Sequence, residues 1–459
     1  MIDLPVSGRF AQDRFSFRHS SDLPGAISAF EDAVAGFAGH LSSTGPAVQR
    51  ALQADPDLVA AIALKGFSAV TMARAELSED ARKSLEQAQS AMARRGLASP
   101  GERTLVQALS LAVAGNLSAA AARLDVQIEA APRDLLSIKL SHSLHFMRGE
   151  VAEMRAVTGH ALEAWSPKLP GYGYLLGMHA FGLEESGAYE EAEEFARAAV
   201  LNEPGDAWGL NALGHVFDMQ GRALEGAALL SGAKSVWSGC NNFRFHVAWH
   251  LALFLHAGGH TDAALALYDS DIRPQSTDDF RDVANAASFL WRMRQEGIAV
   301  GRRWEELLPI AERRRRDTSL VFASLHYLLA LIANGALAAA RDLVEALGSQ
   351  AMTGHGDQAR LAAEIGYPLA KAIFATTGHD PAQRIDAAFL ATLLPGIGGS
   401  NAQRDVFVRT LALIAVESGD AAAAADVLAL RRRLRRDDRF VGLVTGTGRA
   451  PHQAHALFV

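Results

Sequence analysis

Apolar residues recur at helical spacing in pairs of segments along this chain, and within each pair the two segments are separated by a glycine. Gly115, Gly149, Gly187, Gly221, Gly259, Gly297 and Gly335 follow one another at steps of 34, 38, 34, 38, 38 and 38 residues, and Gly378 and Gly419 continue the series at slightly longer steps. A period of this length is the mark of a repeat architecture in which each unit is a pair of helices. Small residues stand five positions beyond several of these glycines (Ala120, Ala192, Ala264, Ala340), where two helices must approach closely. The expected unit is a helical hairpin: helix A before the glycine, helix B after it. The glycine serves the left-handed turn that ends helix A.

The clearest unit is GMHAFGLEESGAYEEAEEFARAAVLNEPGD, in which Tyr189, Ala192, Ala199 and Pro204 lie 2, 5, 12 and 17 residues beyond Gly187. That is the tetratricopeptide spacing. The unit at Gly115 repeats it with Leu117, Ala120 and Pro132, and the 38-residue steps add about one helical turn. The fold class predicted is all-α: a tetratricopeptide-like superhelix of helical hairpins, or α-solenoid, tightly curved or closed. Each hairpin buries its apolar face against the next, and the A helices of such arrays line the concave surface. The expected organisation is an N-terminal helical cap region over 1–100, the array over 101–350, C-terminal helical repeats over 351–440, and an irregular tail over 441–459 marked by Gly442, Gly446, Gly448 and Pro451.

Composition agrees with this and removes several chemistries. The chain is 49% hydrophobic and rich in Ala, Leu, Glu and Arg, which favours helices and argues against a β-rich enzyme. One cysteine, Cys240, excludes an internal disulfide and any C-x-x-C zinc or redox site. No basic, apolar leader and no apolar run of membrane length is visible, so a soluble cytoplasmic protein is expected, with no membrane partner. A net charge of −7 argues against nucleic acid. The basic runs Arg313–Arg316 and Arg431–Arg436 lack interleaved aromatics and read as solvated faces. No cofactor motif is present, and no cofactor is expected.

Polar residues on the A helices supply the candidate chemistry. His142, His179, His215, His250 and His326 stand 7, 8, 6, 9 and 9 residues before their turn glycines, so five hairpins carry an imidazole at a similar level. Each of these is by default a packing residue; as a set they suggest convergence on one cavity. His246 and His250, four apart, share a helical face, and Trp249 beside them could stack on a flat or cationic ligand. Val247 stands where a zincin has its glutamate, and a metal would need a further ligand such as His215 or Asp218, so no metal site is assigned. His215, Asp218 and Arg222 lie on adjoining helical rows: Asp218 could orient His215 as a base, with His250 as the third catalytic candidate, or it could simply pair with Arg222. Glu184, near the end of the preceding A helix, is a candidate for the same space. The stretch Asp279–Arg292 sets Asp282 and Trp291 on a polar stripe or, equally, at a charged helix start. Gly398–Asp405 offers Ser400, Gln403 and Arg404 as an anion cradle, with an ordinary helix cap as the alternative, and it is not a Walker loop.

The run of motifs resembles the tetratricopeptide repeat protein 38 family. The matching stretches include ADPDLVAAIALKGF at 54–67, DLLSIKLSHSLHFMRGE at 134–150, DAWGLNALGHVFDMQGRALEG at 206–226, FRFHVAWHLALF at 243–254, ASFLWRMRQEGIAVGRRWEEL at 287–307 and GGSNAQRDVF at 398–407. The resemblance implies an all-helical superhelix and little about mechanism. Asn211 departs from its usual histidine and Asn285 from its usual aspartate. Three functions fit these observations: a binder of a peptide or small polar ligand in a His/Trp-lined cavity, an enzyme using the histidines for acid–base or metal-assisted chemistry, and a scaffold for a protein partner. A homodimer is compatible with each.

Overall fold

A computed structural model describes residues 10–378, 386–436 and 438–446 of the chain. It is an all-α array of helical hairpins; the described strands are one two-stranded pair, Ala11–Gln12 with Arg18–His19. Clear hairpins are Pro100–Val113 with Leu117–Ala130, Tyr172–Glu185 with Tyr189–Asn202, Phe243–Ala257 with Thr261–Leu267, Val321–Ala333 with Leu337–Thr353, and Asn401–Glu417 with Ala421–Arg432. The expected tail begins inside a helix, Arg439–Thr445, and its residues 447–459 lie outside the described residues. No helix among the described residues is long and apolar enough to cross a membrane.

The periodic glycines do what the period requires. All nine adopt the left-handed conformation, with φ from 67° at Gly149 to 87° at Gly259. At Gly187 the glycine N–H donates to the Glu184 carbonyl at 2.8 Å and the Ala188 N–H to the Leu183 carbonyl at 3.0 Å. The same two bonds recur at Gly221, Gly259, Gly297 and Gly335. They satisfy carbonyls that the end of a helix otherwise leaves unpaired. Five residues on, Ala120, Ala192, Ala264 and Ala340 are fully buried. Gly226 fills the same slot after Gly221, because a Cβ there would overlap the Phe254 ring.

The chain forms two compact units. The first comprises Met1–Phe146, Val151–Leu213 and Val236–Asn241; the second comprises Met147–Glu150, Gly214–Ser235 and Asn242–Val459. In the first, the loop of the β pair is organised by Asp13, whose carboxylate accepts the Phe15 and Phe17 N–H groups and meets His19 Nε2 at 2.9 Å.

The second unit closes on itself through buried polar groups. Asp218, near the start of the unit, meets Arg435, 217 residues later, at 2.7 Å, and the Arg436 N–H donates to the Met219 carbonyl at 3.0 Å. Arg431 bridges Asp405 at 2.6 Å and Asp438 at 2.7 Å. Phe280–Gln295 is fastened to Asn401–Glu417 by Trp291 and Gln295 donating to Thr410 Oγ1 and by Arg292 donating to the Ala402 carbonyl. Two sequence expectations are corrected here. Asp218 pairs with Arg435 rather than Arg222, which binds Glu225 instead. The basic runs are not wholly solvated: Arg314 and Arg431 are buried, and these two and Arg435 each turn to a carboxylate.

Removing one partner from a buried ion pair leaves an uncompensated charge, at a cost of about 3–5 kcal/mol. Asp405→Asn should therefore lower the unfolding free energy from urea titration, and with it the midpoint, by an amount in that range, whereas Asp426→Asn, outside this network, should change it by less than about 0.5 kcal/mol. Equal midpoints for the two variants would contradict the closure described here.

Candidate functional site

Two consecutive A helices of the second unit, Phe243–Ala257 and Phe280–Gln295, face each other along a ladder of polar contacts. Asn242, at the N-cap position of the first helix, donates from Nδ2 to Asp282 Oδ2 at 2.7 Å. One turn on, His246 Nδ1 meets Asn285 Oδ1 at 3.0 Å. Arg292 lies over the Trp249 ring, 5.4 Å from its centroid, and His256 Nε2 reaches Glu296 at 3.0 Å just past the second helix. The spacing of three, four and seven residues on both strands of this ladder is the spacing of one helical face.

His215, from Ala207–Met219, joins this ladder. Its Nε2 lies 3.0 Å from His250 Nε2, and the two rings meet nearly edge to face with centroids 4.3 Å apart. The His246 ring is 4.8 Å from that of His250 and stacks on Trp249 at 5.3 Å. One nitrogen from each of His215, His246 and His250 lies within 4.8 Å of the others. His215 and His250 are buried; His246 is partly exposed, as are Asn242 and Phe243 beside it, so the cluster is approached from the start of the Phe243–Ala257 helix. Burial, and then the neighbouring imidazoles and arginines, hold His215 and His250 well below the ordinary imidazole value. Burial takes His246 down to about 4 against the opposing bond to Asn285. The three rings are thus neutral near pH 7, as metal ligation and acceptance of a proton both require. Asp282 is raised to about 6 by burial and then by the nearby Asp279.

The remaining sequence candidates are placed as follows. Asp218 binds Arg435. His326 Nδ1 bonds the Phe322 carbonyl of its own helix at 2.8 Å, and its ring packs edge-on against Phe407. Trp291 donates to Thr410 and is buried. Ser400 and Gln403 bond one another's backbone N–H groups as a capping box, and Arg404 donates to the Gly398 and Gly399 carbonyls and to Asn401 Oδ1, so this loop's polar groups serve its own fold. In the first unit, His179 Nδ1 meets Thr158 Oγ1 at 2.9 Å and the ring lies edge-on to Phe195, facing two B helices. Glu184 is fully buried in the last turn of its A helix. A surface pocket of about 360 Å³ lined by Arg316, Asp342, Glu345 and Gln350 among others shares no residue with the histidine set.

The sequence offers no reason to select Asn285 as the partner of His246, or Lys139 and Asp206 in the first unit. Lys139 is buried, with Nζ 3.1 Å from His40 Nε2 and 4.4 Å above the Trp208 ring. Burial drives Lys139 down and Asp206, an N-cap, up. The available signal is a charged residue inside the run LLSIKL, where helical spacing demands an apolar one.

No family model matches the chain. The crystal structure of yeast Tom70 aligns with 94% of this chain and 88% of its own at 12% identity and a TM-score of 0.36.

Acid stability follows from the ladder. Burial alone would raise Glu296, but His256 and Arg409 reverse the effect and bring it from 4.5 to about 2. Glu296 and His246 are both depressed in the folded chain, so the unfolded chain binds protons more readily, and stability is present in full only above the unfolded values. It is lost first as pH falls below about 6.5, through the histidines, and again below about 4.3, through Glu296. The Glu296 term is on the order of 3 kcal/mol. Urea midpoints should fall between about pH 7 and 5 and again between about pH 5 and 3; a flat profile over both intervals would contradict this account.

Proposed function

We propose that this chain is a helical-repeat binding protein whose second unit holds a small polar ligand against His246, Trp249, His250, Asp282 and Asn285. The observation that carries this reading is a set of buried polar atoms that find no hydrogen-bond partner within the described protein: Asp282 Oδ1, Asn285 Nδ2, His250 Nδ1 and Trp249 Nε1. Each such atom costs about 1–3 kcal/mol if left unpaired. A solenoid needs apolar faces and small packing residues to stand, and these atoms contribute neither. They combine donors (Trp249, Asn285) with an acceptor (Asp282) and an imidazole nitrogen that serves as either according to its tautomer, which suits a ligand carrying both kinds of group. Burial of the set favours a small molecule over an extended peptide. Membership of the tetratricopeptide repeat protein 38 family, suggested by the sequence, is compatible with this reading.

A second reading is favoured by one contact. The 3.0 Å approach of two neutral imidazoles at His215 and His250 is an arrangement that metal-assisted or acid–base chemistry would use.

Native mass spectrometry of the purified chain beside its denatured mass tests the binding reading. A retained small-molecule adduct is expected in the wild-type chain and should be lost in Trp249→Ala and Asp282→Asn at unchanged helical content. A bare native mass, or an adduct that survives both substitutions, would remove it.

A further inference from the structure

We propose that His215, His246 and His250 form a binding site for one divalent transition metal ion of the zinc class, with a fourth coordination position left for water or ligand. This rests on reading the second unit's interior as a ligand site and names its first occupant. Nε2 of His215 and Nε2 of His250 already lie 3.0 Å apart. Two nitrogens each about 2.0–2.1 Å from a tetrahedral zinc ion are about 3.3 Å apart, so this pair is spaced for an ion that would replace the proton now shared between them. The third imidazole comes from His246, one turn before His250 on the same helix, and a nitrogen of each ring lies within 4.8 Å of the others. His246 is also the partly exposed member and therefore the side from which an ion would enter.

The surroundings suit this role. Asn285 Oδ1 accepts a bond from His246 Nδ1, which places that ring's proton on Nδ1 and leaves Nε2 as the nitrogen with a lone pair. A ligand imidazole is ordinarily oriented by such an outer acceptor. Trp249, stacked on His246, holds the ring plane. Of the cations that act on the trio, Arg435 is paired with Asp218 at 2.7 Å, Arg292 donates to the Ala402 carbonyl with Asp405 4.0 Å away, and Arg404 donates to the Gly398 and Gly399 carbonyls and to Asn401 Oδ1. Three neutral imidazoles with one open position form the ligand set of a catalytic rather than a purely structural zinc site. Asp282, one turn before Asn285 on the facing helix, lines the same ladder.

The full-length protein, stripped with EDTA, is titrated with Co(II) alone and then with Zn(II) alone. The expected result is one equivalent per chain, visible d–d bands of tetrahedral Co(II), and their loss on Zn(II) addition. His250→Ala and His246→Ala should abolish the bands, and Asn285→Ala should weaken binding about 10–100-fold. His326→Ala, altering a buried histidine outside the trio, should leave both stoichiometry and bands unchanged. If the His→Ala chains fail to fold by circular dichroism, diethyl pyrocarbonate footprinting of the wild type decides instead: Zn(II) should protect His246. Absence of stoichiometric uptake by the folded wild-type chain, uptake that survives His250→Ala, or His246 modified equally with and without Zn(II) would overturn the proposal. Native masses from the same samples separate the two readings. An organic adduct without metal removes the metal site and spares the ligand site, while metal uptake without an adduct does the reverse.

Discussion

Charge buried inside the second unit has to be paired, and the pairing is what joins its ends. Asp218 and Arg435 are 217 residues apart in sequence and 2.7 Å apart in space, and Arg431 ties Asp405 to Asp438 beside them. An open row of hairpins would leave these groups in water, where each ion pair contributes at most about 1 kcal/mol. Brought inside, they become mutually dependent, because any one left without its counter-charge is far more costly than the pair is worth. Asp405 shows the balance: burial raises it, yet Arg431 and Arg435 hold it well below the usual carboxylate range. The network thus specifies one arrangement of the last hairpin against the first residues of the unit.

The histidine ladder depends on that closure. Arg292 reaches both sets of groups: its guanidinium lies over Trp249 and donates to the Ala402 carbonyl at the head of Asn401–Glu417. Glu296 likewise accepts from His256 on one side and Arg409 on the other. The contacts that join distant helices and those that align the imidazoles therefore share side chains. This coupling explains why a polar interior persists in a fold whose stability comes mainly from apolar surfaces. It also keeps the imidazoles neutral and close, since burial penalises their charged forms.

The first unit solves a related problem with fewer groups. Lys139 is buried on the helix Leu135–Arg148, and its amine is met by His40, the face of Trp208 and the charge of Asp206. Asp206 also caps its helix through the Trp208 and Gly209 N–H groups. One carboxylate thereby serves both a local backbone need and a long-range charge.

Periodicity determined the hairpins without reference to anything distant. The glycines at 115, 187 and 259 must take positive φ because the helix ends there and the chain must turn, a requirement set within six residues. Ala120, Ala192 and Ala264 are legible for the same reason: one neighbouring helix suffices to demand a small side chain. The face shared by His246 and His250 is likewise local. What the sequence could not decide is which of its polar residues meet across hairpins. His179 and His215 occupy similar levels before their glycines, yet one is turned toward Thr158 and Phe195 and the other toward His250. Helical spacing favours Arg222 as the partner of Asp218, and only the tertiary arrangement selects Arg435, far more distant in sequence. The reason is physical: backbone hydrogen bonding and helix ends act over one or two turns, whereas burial, and with it the need to pair a charge, is a property of the assembled stack.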